Sequence, residues 1–421
     1  MSRPQVTVVG GGMITNDQLL PSLYHLQRTG VIGEINICAL NARPLKDLAD
    51  SEFFARAFPG QSFKAYPEIT GDLEKPHSNL FREVIQRMPK RNIVMVAVPD
   101  QLHYGVIMEA LNADQHICTV KPLVLKTAQA MEIEQEAARR GLLVGIEYHK
   151  RFDDRSFMAR VRYRDGMFGE FKLGTANLFE KWYYRYSNFQ NWCTTENSDA
   201  FAYIGCHYVD LVHFITGLLP VSVSVYGLKD HYPNGNEGLL WTDARVVWNN
   251  GAALNVQNGL GFPDAGPGSN TQGITLYCSD GNVGALLSHD DQYKGIRYAY
   301  TRQPDSPGAT QYHEPSPDYM QYVDLGGPGL KPVGYGYRSV EFIVSTAARI
   351  EQETQGLPES EALSKRQRML TQIDQAGVMA TPANSRYNEL VMEAGRLSIL
   401  NGGREVLINY DTHSVAFRQY D

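Results

Sequence analysis

The chain has 421 residues, enough for two or three domains at ~150 residues each and for a core that needs no disulfide staples. A hydrophobic content of 43% and a charged content of 20% exclude wholesale disorder. The net charge of −7, from 39 basic and 46 acidic residues, argues against a nucleic-acid partner. No apolar run approaches the ~20 residues that span a bilayer, so no membrane role is expected. The five cysteines (Cys38, Cys118, Cys193, Cys206 and Cys278) contain no CxxC pair, which suits buried thiols in a reducing compartment. A strand opening within about five residues of Met1 leaves no room for a signal peptide, so a cytoplasmic protein is expected.

Val6–Val9 is a continuous β-branched run, as in a strand buried on both faces. A glycine cluster follows, then a helical pattern at Leu19, Leu20, Leu23 and Leu26. Ile35–Leu40 and Ile93–Val98 read as strands, the second ended by Pro99. Ile107–Leu111 fits a helix, His116–Val120 a strand, Ala128–Gly141 a helix stopped by Gly141, and Leu143–Glu147 a strand. Strand, helix, strand in series predicts a Rossmann-type, doubly wound parallel α/β sheet over residues 1–150.

The texture changes after Arg151. Phe171–Asn177, Val221–Tyr226, Ala244–Val247, Ala252–Gln257 and Ile274–Cys278 read as strands with no helices between them. They predict an α+β domain over 151–421 on a large, open, mostly antiparallel sheet. Phe201–Thr216 reads as one helix, and 338–355, 360–376 and 384–401 as three more. The Gly- and Pro-rich stretches 258–273 and 302–334 read as long loops.

Three constellations carry chemistry. Gly10-Gly11-Gly12-Met13-Ile14-Thr15 lies between a strand and a helix. Gly10 permits the tight turn, and Gly12 lets the backbone approach a pyrophosphate seated on the helix N-terminus, with Met13 and Ile14 beside it. Thr15 stands where the fingerprint has its third Gly or Ala. The second strand runs into Asn41 where an acid usually binds the adenosine ribose, and Arg43 follows. An amide serves a ribose hydroxyl without repelling a 2′-phosphate, so NAD or NADP is expected, with NAD slightly preferred. The third constellation is Val98, Pro99 and His103 together with Lys121-Pro122. Both stretches follow strand ends, where open α/β sheets bind ligands, and the proline holds Lys121 extended.

These motifs, with Tyr148-His149-Lys150-Arg151-Phe152, with Gly205-Cys206-His207-Tyr208-Val209-Asp210-Leu211 before Gly217, and with Gly395-Arg396-Leu397-Ser398 before Gly402, resemble the Gfo/Idh/MocA oxidoreductases. The resemblance implies a Rossmann domain, a second domain on a large open sheet, and a sugar or cyclic polyol held between that sheet and the nicotinamide. It implies that Lys121 is the lysine of the family's Glu-Lys-Pro motif and His207 its helical histidine. Two positions depart from it: Val120 replaces the glutamate, and Tyr203 stands where many members have an aspartate.

Oxidising a secondary alcohol requires a base for the hydroxyl proton and a carbinol hydrogen aimed at the nicotinamide. Lys121 and His207 are expected on the reacting oxygen, with Tyr203 one helical turn away and Lys121 as the cation that lowers its pKa. Tyr148, Lys181, Tyr183 and Trp192 are expected to line the substrate, since aromatic faces stack on sugar rings and charged ends take hydroxyls. No metal is expected, because His289-Asp290-Asp291 and His313-Glu314 lack a helical two-ligand spacing. The expected function is NAD(P)-dependent hydride transfer to or from a sugar, glycoside or cyclic polyol by a homo-oligomer of two or four copies. One alternative is a glycoside hydrolase working by transient ring oxidation, elimination, hydration and re-reduction. The other is a non-catalytic dinucleotide sensor.

Overall fold

The computed structural model describes residues 3–266, 270–281, 284–290, 297–299, 310–312 and 319–419. The first sheet is built from β1 (Val6–Val9), β2 (Ile35–Cys38), β3 (Lys64–Tyr66), β4 (Ile93–Val96), β5 (His116–Val120) and β6 (Val144–Glu147). Their order is β3-β2-β1-β4-β5-β6, and every neighbour is parallel. Val6 and Val8 are fully buried, as a strand covered on both faces requires. Val9, the last residue of β1, pairs with Cys38 on one side and Val96 on the other. The strand order reverses at β1, so a crevice opens beyond its carboxyl end. Strands β2 and β4 end at Cys38 and Val96, short of the expected Leu40 and Val98, because the chain leaves the sheet to line that crevice.

The second sheet contains β7 (Phe171–Lys181), β8 (Pro220–His231), β9 (Glu237–Trp248), β10 (Ala253–Phe262), β11 (Asn270–Ser279) and β12 (Gly284–Asp290). Two short hairpins follow, β13 (Arg297–Ala299) with β14 (Thr310–Tyr312) and β15 (Gln321–Val323) with β16 (Lys331–Val333). Strands β17 (Val406–Asn409) and β18 (Ser414–Phe417) complete the large sheet, in the order β12-β11-β7-β10-β9-β8-β17-β18. Only β7 and β10 run parallel; the remaining neighbours are antiparallel. The expected pair of architectures, a Rossmann sheet and an open, mostly antiparallel sheet, is what the chain forms.

Two expectations fail locally. Most of 258–273 is not loop but the end of β10 and the start of β11. Its glycines answer to packing: a Cβ on Gly261 would come within 1.8 Å of the Trp241 ring. Of 302–334, the described part includes β14, β15 and β16. The expected Phe201–Thr216 helix opens as a π turn over Phe201–Gly205 and becomes α-helical at Cys206–Thr216. Gly205 sits so close to the large sheet that a Cβ there would lie 2.8 Å from Asn258 Oδ1.

The Tyr335–Thr354 helix returns to the first sheet, burying Val340, Ile343, Val344, Ala347 and Ile350 in one cluster with Val6, Val8 and Ile35. A buried polar knot forms there. Gln18 Nε2 and Ser339 Oγ donate to Glu147 Oε1 at 2.8 and 2.5 Å, and Tyr319 Oη donates to Gln18 Oε1 at 2.6 Å. All five cysteines are buried free thiols. Among the described residues, no helix is long and apolar enough to cross a membrane.

Candidate active site

At the carboxyl end of β1, Gly10 has φ +123°, and a Cβ there would lie 2.0 Å from the Ala97 carbonyl oxygen. Only glycine fits that turn. Thr15, the departure from the fingerprint, closes the loop by donating its hydroxyl to the Gly10 carbonyl at 2.7 Å. Gly12 differs from Gly10. It is exposed, and a Cβ there meets nothing within 4 Å, so no contact among the described residues requires its smallness. Met13 and Ile14 open the helix beside it, where first-turn N–H groups lack helical partners and attract an anion. This loop therefore fits a dinucleotide pyrophosphate. Gly12→Val is expected to leave the melting temperature unchanged and to weaken NAD(H) binding by ~10-fold or more, because only the ligand's space is filled. Fluorescence titration with NADH beside a thermal melt checks both halves.

The Asn41 side-chain oxygen accepts the Arg43 N–H at 3.2 Å, which leaves its amide N–H groups for a ribose. Arg43 is not a free cation, since its Nε pairs with Glu74 at 2.8 Å. Val98 and Pro99 line the adjoining loop, partly buried. His103 was expected to touch the cofactor, but it lies beneath the crevice and is wholly buried. Its Nε2 is 2.9 Å from the Val98 carbonyl oxygen and its Nδ1 2.8 Å from that of Pro122. It braces the two crevice loops against each other.

Lys121 follows β5, nine-tenths buried. Its ammonium donates to the Tyr203 carbonyl and sits 3.6 Å from the centre of the Tyr203 ring. That geometry corrects the role expected of Tyr203. The cation covers the ring face and the main chain, and burial, then the charges of Glu180 and Asp100, push the hydroxyl well above its ordinary pKa of 10.0. Tyr203 is a wall of the site, packed on Phe189 and Trp192 at 4.6 and 5.7 Å between ring centres.

His207, on the next turn, is buried, and its Nδ1 has no hydrogen-bond partner among the described residues. Burial and then the charges of Lys121, His149 and Lys150 hold its pKa well below 6.5, so it is neutral at neutral pH. Its ring lies 4.6 Å from that of His149, whose Nδ1 is 3.1 Å from Glu147 Oε2. Lys121, His207 and His149 thus converge where the crevice meets the second sheet.

The expected substrate residues divide. Trp192 and Tyr183 stay near the site surface, Tyr183 half exposed and packed on Tyr184 at 4.9 Å. Tyr148 is fully buried, and its hydroxyl accepts from Asn388 Nδ2 at 2.9 Å, so it forms core rather than a ligand contact. Lys181 is committed to backbone: its ammonium donates to the carbonyls of Pro263, Asp264 and Gly266 at 3.2, 2.9 and 2.6 Å. Three further groups stand beside these residues without having been assigned a role from sequence: His149, Lys150 and Tyr319. His149 and Lys150 stood in a recognised motif. Glu180 lies on the alternating pattern of β7, on the same face as Ala176 and Leu178. His289 lies 3.5 Å from Asp153, while the Asp290 side chain, Asp291, His313 and Glu314 fall outside the described residues.

Residues 5–148 match the Gfo/Idh/MocA family model, described as an oxidoreductase family with an NAD-binding Rossmann fold. D-glucoside 3-dehydrogenase of Escherichia coli (strain K12) is 26% identical over 146 residues, 33% of this chain and 40% of that protein. scyllo-Inositol 2-dehydrogenase (NADP(+)) of Bacillus subtilis (strain 168) is 27% identical over 143 residues, 34% of this chain and 37% of that protein. The matches to curated relatives span 24–41% of those proteins' lengths. The solved structure of scyllo-inositol dehydrogenase from Lactobacillus casei with NAD(H) and scyllo-inositol has the same fold, with a TM-score of 0.59 at 14% identity, over 96% of this chain and 99% of that one.

Proposed function

We propose, for a chain whose residues 5–148 place it in the Gfo/Idh/MocA oxidoreductase family, NAD(P)-dependent hydride transfer to or from a secondary alcohol of a sugar, glycoside or cyclic polyol. What supports this reading is that the Lys121 ammonium, just after β5, acts on the buried, neutral His207 ring, and that β1 of the same sheet ends in the Gly10–Gly12 turn. The inositol and glucoside dehydrogenases among its relatives support the substrate class.

Gly12 and the first helical turn would hold the pyrophosphate, and Asn41 a ribose. The bound dinucleotide supplies the hydride acceptor or donor. Lys121 stabilises the substrate oxygen as negative charge develops on it, and His207 hydrogen-bonds the same oxygen. Trp192 and Tyr183 give the sugar ring apolar faces. NAD is slightly preferred over NADP, because Arg43 is already paired with Glu74, whose carboxylate faces any 2′-phosphate.

Self-association as a dimer or tetramer belongs to this reading. Leu286, Tyr277 and Leu173 are cross-strand neighbours on β12, β11 and β7, and all three are more than half exposed. An apolar row of that kind on an open sheet suits a second copy.

The test is turnover on a panel of neutral sugars, glycosides and inositols with each cofactor. The expected result is stoichiometric NADH or NADPH formation. Aglycone release without net cofactor change would replace the dehydrogenase by the redox glycosidase, and no turnover with tight NADH binding would leave a sensor.

A further inference from the structure

The Tyr203 ring is covered by the Lys121 ammonium, and His207 is buried with no polar partner at Nδ1 among the described residues. A carboxylate whose charge is felt at Lys121 is the further group that could exchange a proton there. Glu180 ends β7 next to Lys181, on the face of the large sheet that meets the first domain. The pairing register fixes that face. Glu180 stands opposite Asn270 on β11, and two residues back Leu178 stands opposite Gln272, whose side-chain oxygen accepts from Lys150 Nζ. Lys150 follows β6, so this row of the sheet reaches the crevice loops.

One carboxylate oxygen of Glu180, Oε2, accepts from Asn270 Nδ2 at 3.2 Å. The other accepts no hydrogen bond among the described residues. The ionisable groups facing it come from every wall of the site: Lys121 after β5, Lys150 after β6, Tyr203 on the π turn, Tyr319, and Tyr183 and Tyr184 beyond its own strand. Glu180 is half-buried and is the acidic group whose charge acts most on the Tyr203 hydroxyl.

We infer that Glu180 is the acid–base catalyst of this site, exchanging the substrate hydroxyl proton through its free oxygen Oε1. This rests on the dehydrogenase reading above. In the oxidative direction the alcohol O–H bond breaks and its proton goes to Glu180 Oε1. The electron pair of that bond forms the carbonyl, and the carbinol C–H pair leaves as hydride to the oxidised nicotinamide dinucleotide. Burial raises the Glu180 pKa from 4.5, against the opposing hydrogen bond of Asn270 and the charges of Lys121 and Lys150. The shift brings a carboxyl closer to the range where proton exchange at neutral pH is efficient.

Glu180→Gln preserves the shape and the Asn270 contact while removing the proton acceptor. The expected result is a kcat lower by ~10²–10³, with the NADH dissociation constant and melting temperature of the wild type. The acid limb of the wild-type kcat/KM profile, where activity rises as Glu180 ionises, is expected to vanish. Glu180→Asp, which keeps the carboxyl on a shorter stem, is expected to retain that limb at reduced kcat, and it decides the matter if the Gln variant does not fold. A Gln variant with wild-type kcat and an intact acid limb, or an Asp variant that has lost the limb, overturns the assignment. Failure of the underlying reading looks different: the wild type itself would reduce neither cofactor with any polyol.

Discussion

Lys121→Ala is expected to lose a factor of ~10²–10⁴ in kcat while keeping NADH affinity within a few-fold of the wild type. The two halves separate because they belong to different loops. The turn proposed for the dinucleotide is built by Gly10, Gly12 and Thr15 after β1, whereas the Lys121 ammonium, after β5, is held by Tyr203. The ammonium has a fixed place: it donates to the Tyr203 carbonyl and lies 3.6 Å from that residue's ring centre. A cation held in a nearly dry site acts on a developing alkoxide without reorganising, which is where such groups contribute most. It also faces the buried Asp100, whose carboxyl is raised by burial and lowered again by His103 and Lys121. Lys121→Met, which keeps the apolar stem, separates lost charge from lost packing. Both variants are expected to fall together in kcat. Normal turnover in either would remove Lys121 from the chemistry, and with it the crevice as drawn.

Much of this site was legible because the sequence spells out backbone needs. Only glycine can take position 10, and the β-branched Val6–Val9 could hardly be anything but a doubly covered strand. Lys121 and His207 were singled out through their neighbours in sequence, and the structure sets them close enough for the Lys121 charge to act on the His207 ring. Long-range commitments were not legible. Lys181 has the composition of a sugar-binding residue, yet three carbonyls from 263–266 consume its ammonium, and nothing local announces them. Tyr148 is spent on Asn388, far along the chain. Some recognised motifs are structural rather than chemical. Arg151 and Asp210 each sit in one, and together they form a buried two-pronged pair at 2.7 and 2.6 Å that ties the end of the first domain to the His207 helix. Glu180 was hidden for the opposite reason. Its segment, 179–185, mixes charge and aromatic rings as a sugar site would, but only the pairing register shows which face the acid takes.

The pH dependence of stability is expected to carry the mark of one carboxyl, Glu389, on the Tyr387–Ile399 helix. It is fully buried, and both its oxygens lack hydrogen-bond partners among the described residues. The backbone N–H groups of Glu389 and Leu123 lie near enough to favour the charged form but not well enough placed to bond it. Burial dominates and pushes its pKa from 4.5 up to about 8, with the charge of Asp210 adding to the rise. Unfolded, the same group ionises near 4.5. Between those values the folded chain holds a proton that the unfolded chain has released, so raising the pH pulls the equilibrium toward unfolding. The contribution to stability is complete below the lower value and lost once the pH passes the upper one. At ~1.4 kcal/mol per unit the shift amounts to a few kcal/mol. Glu389→Gln cannot ionise. It is expected to match the wild type at pH 4.5 and to exceed its stability by a few kcal/mol at pH 9. Guanidinium unfolding of both proteins at the two pH values measures the difference directly. Equal stabilities at pH 9 would mean that Glu389 ionises in the folded protein as easily as in the unfolded one. The group also lies beneath the loop that carries Lys121, since Leu123 is one of its two backbone neighbours. A neutral carboxyl there lets the loop pack on the helix, whereas a charged one would be buried without a hydrogen-bond partner among the described residues, which is costly.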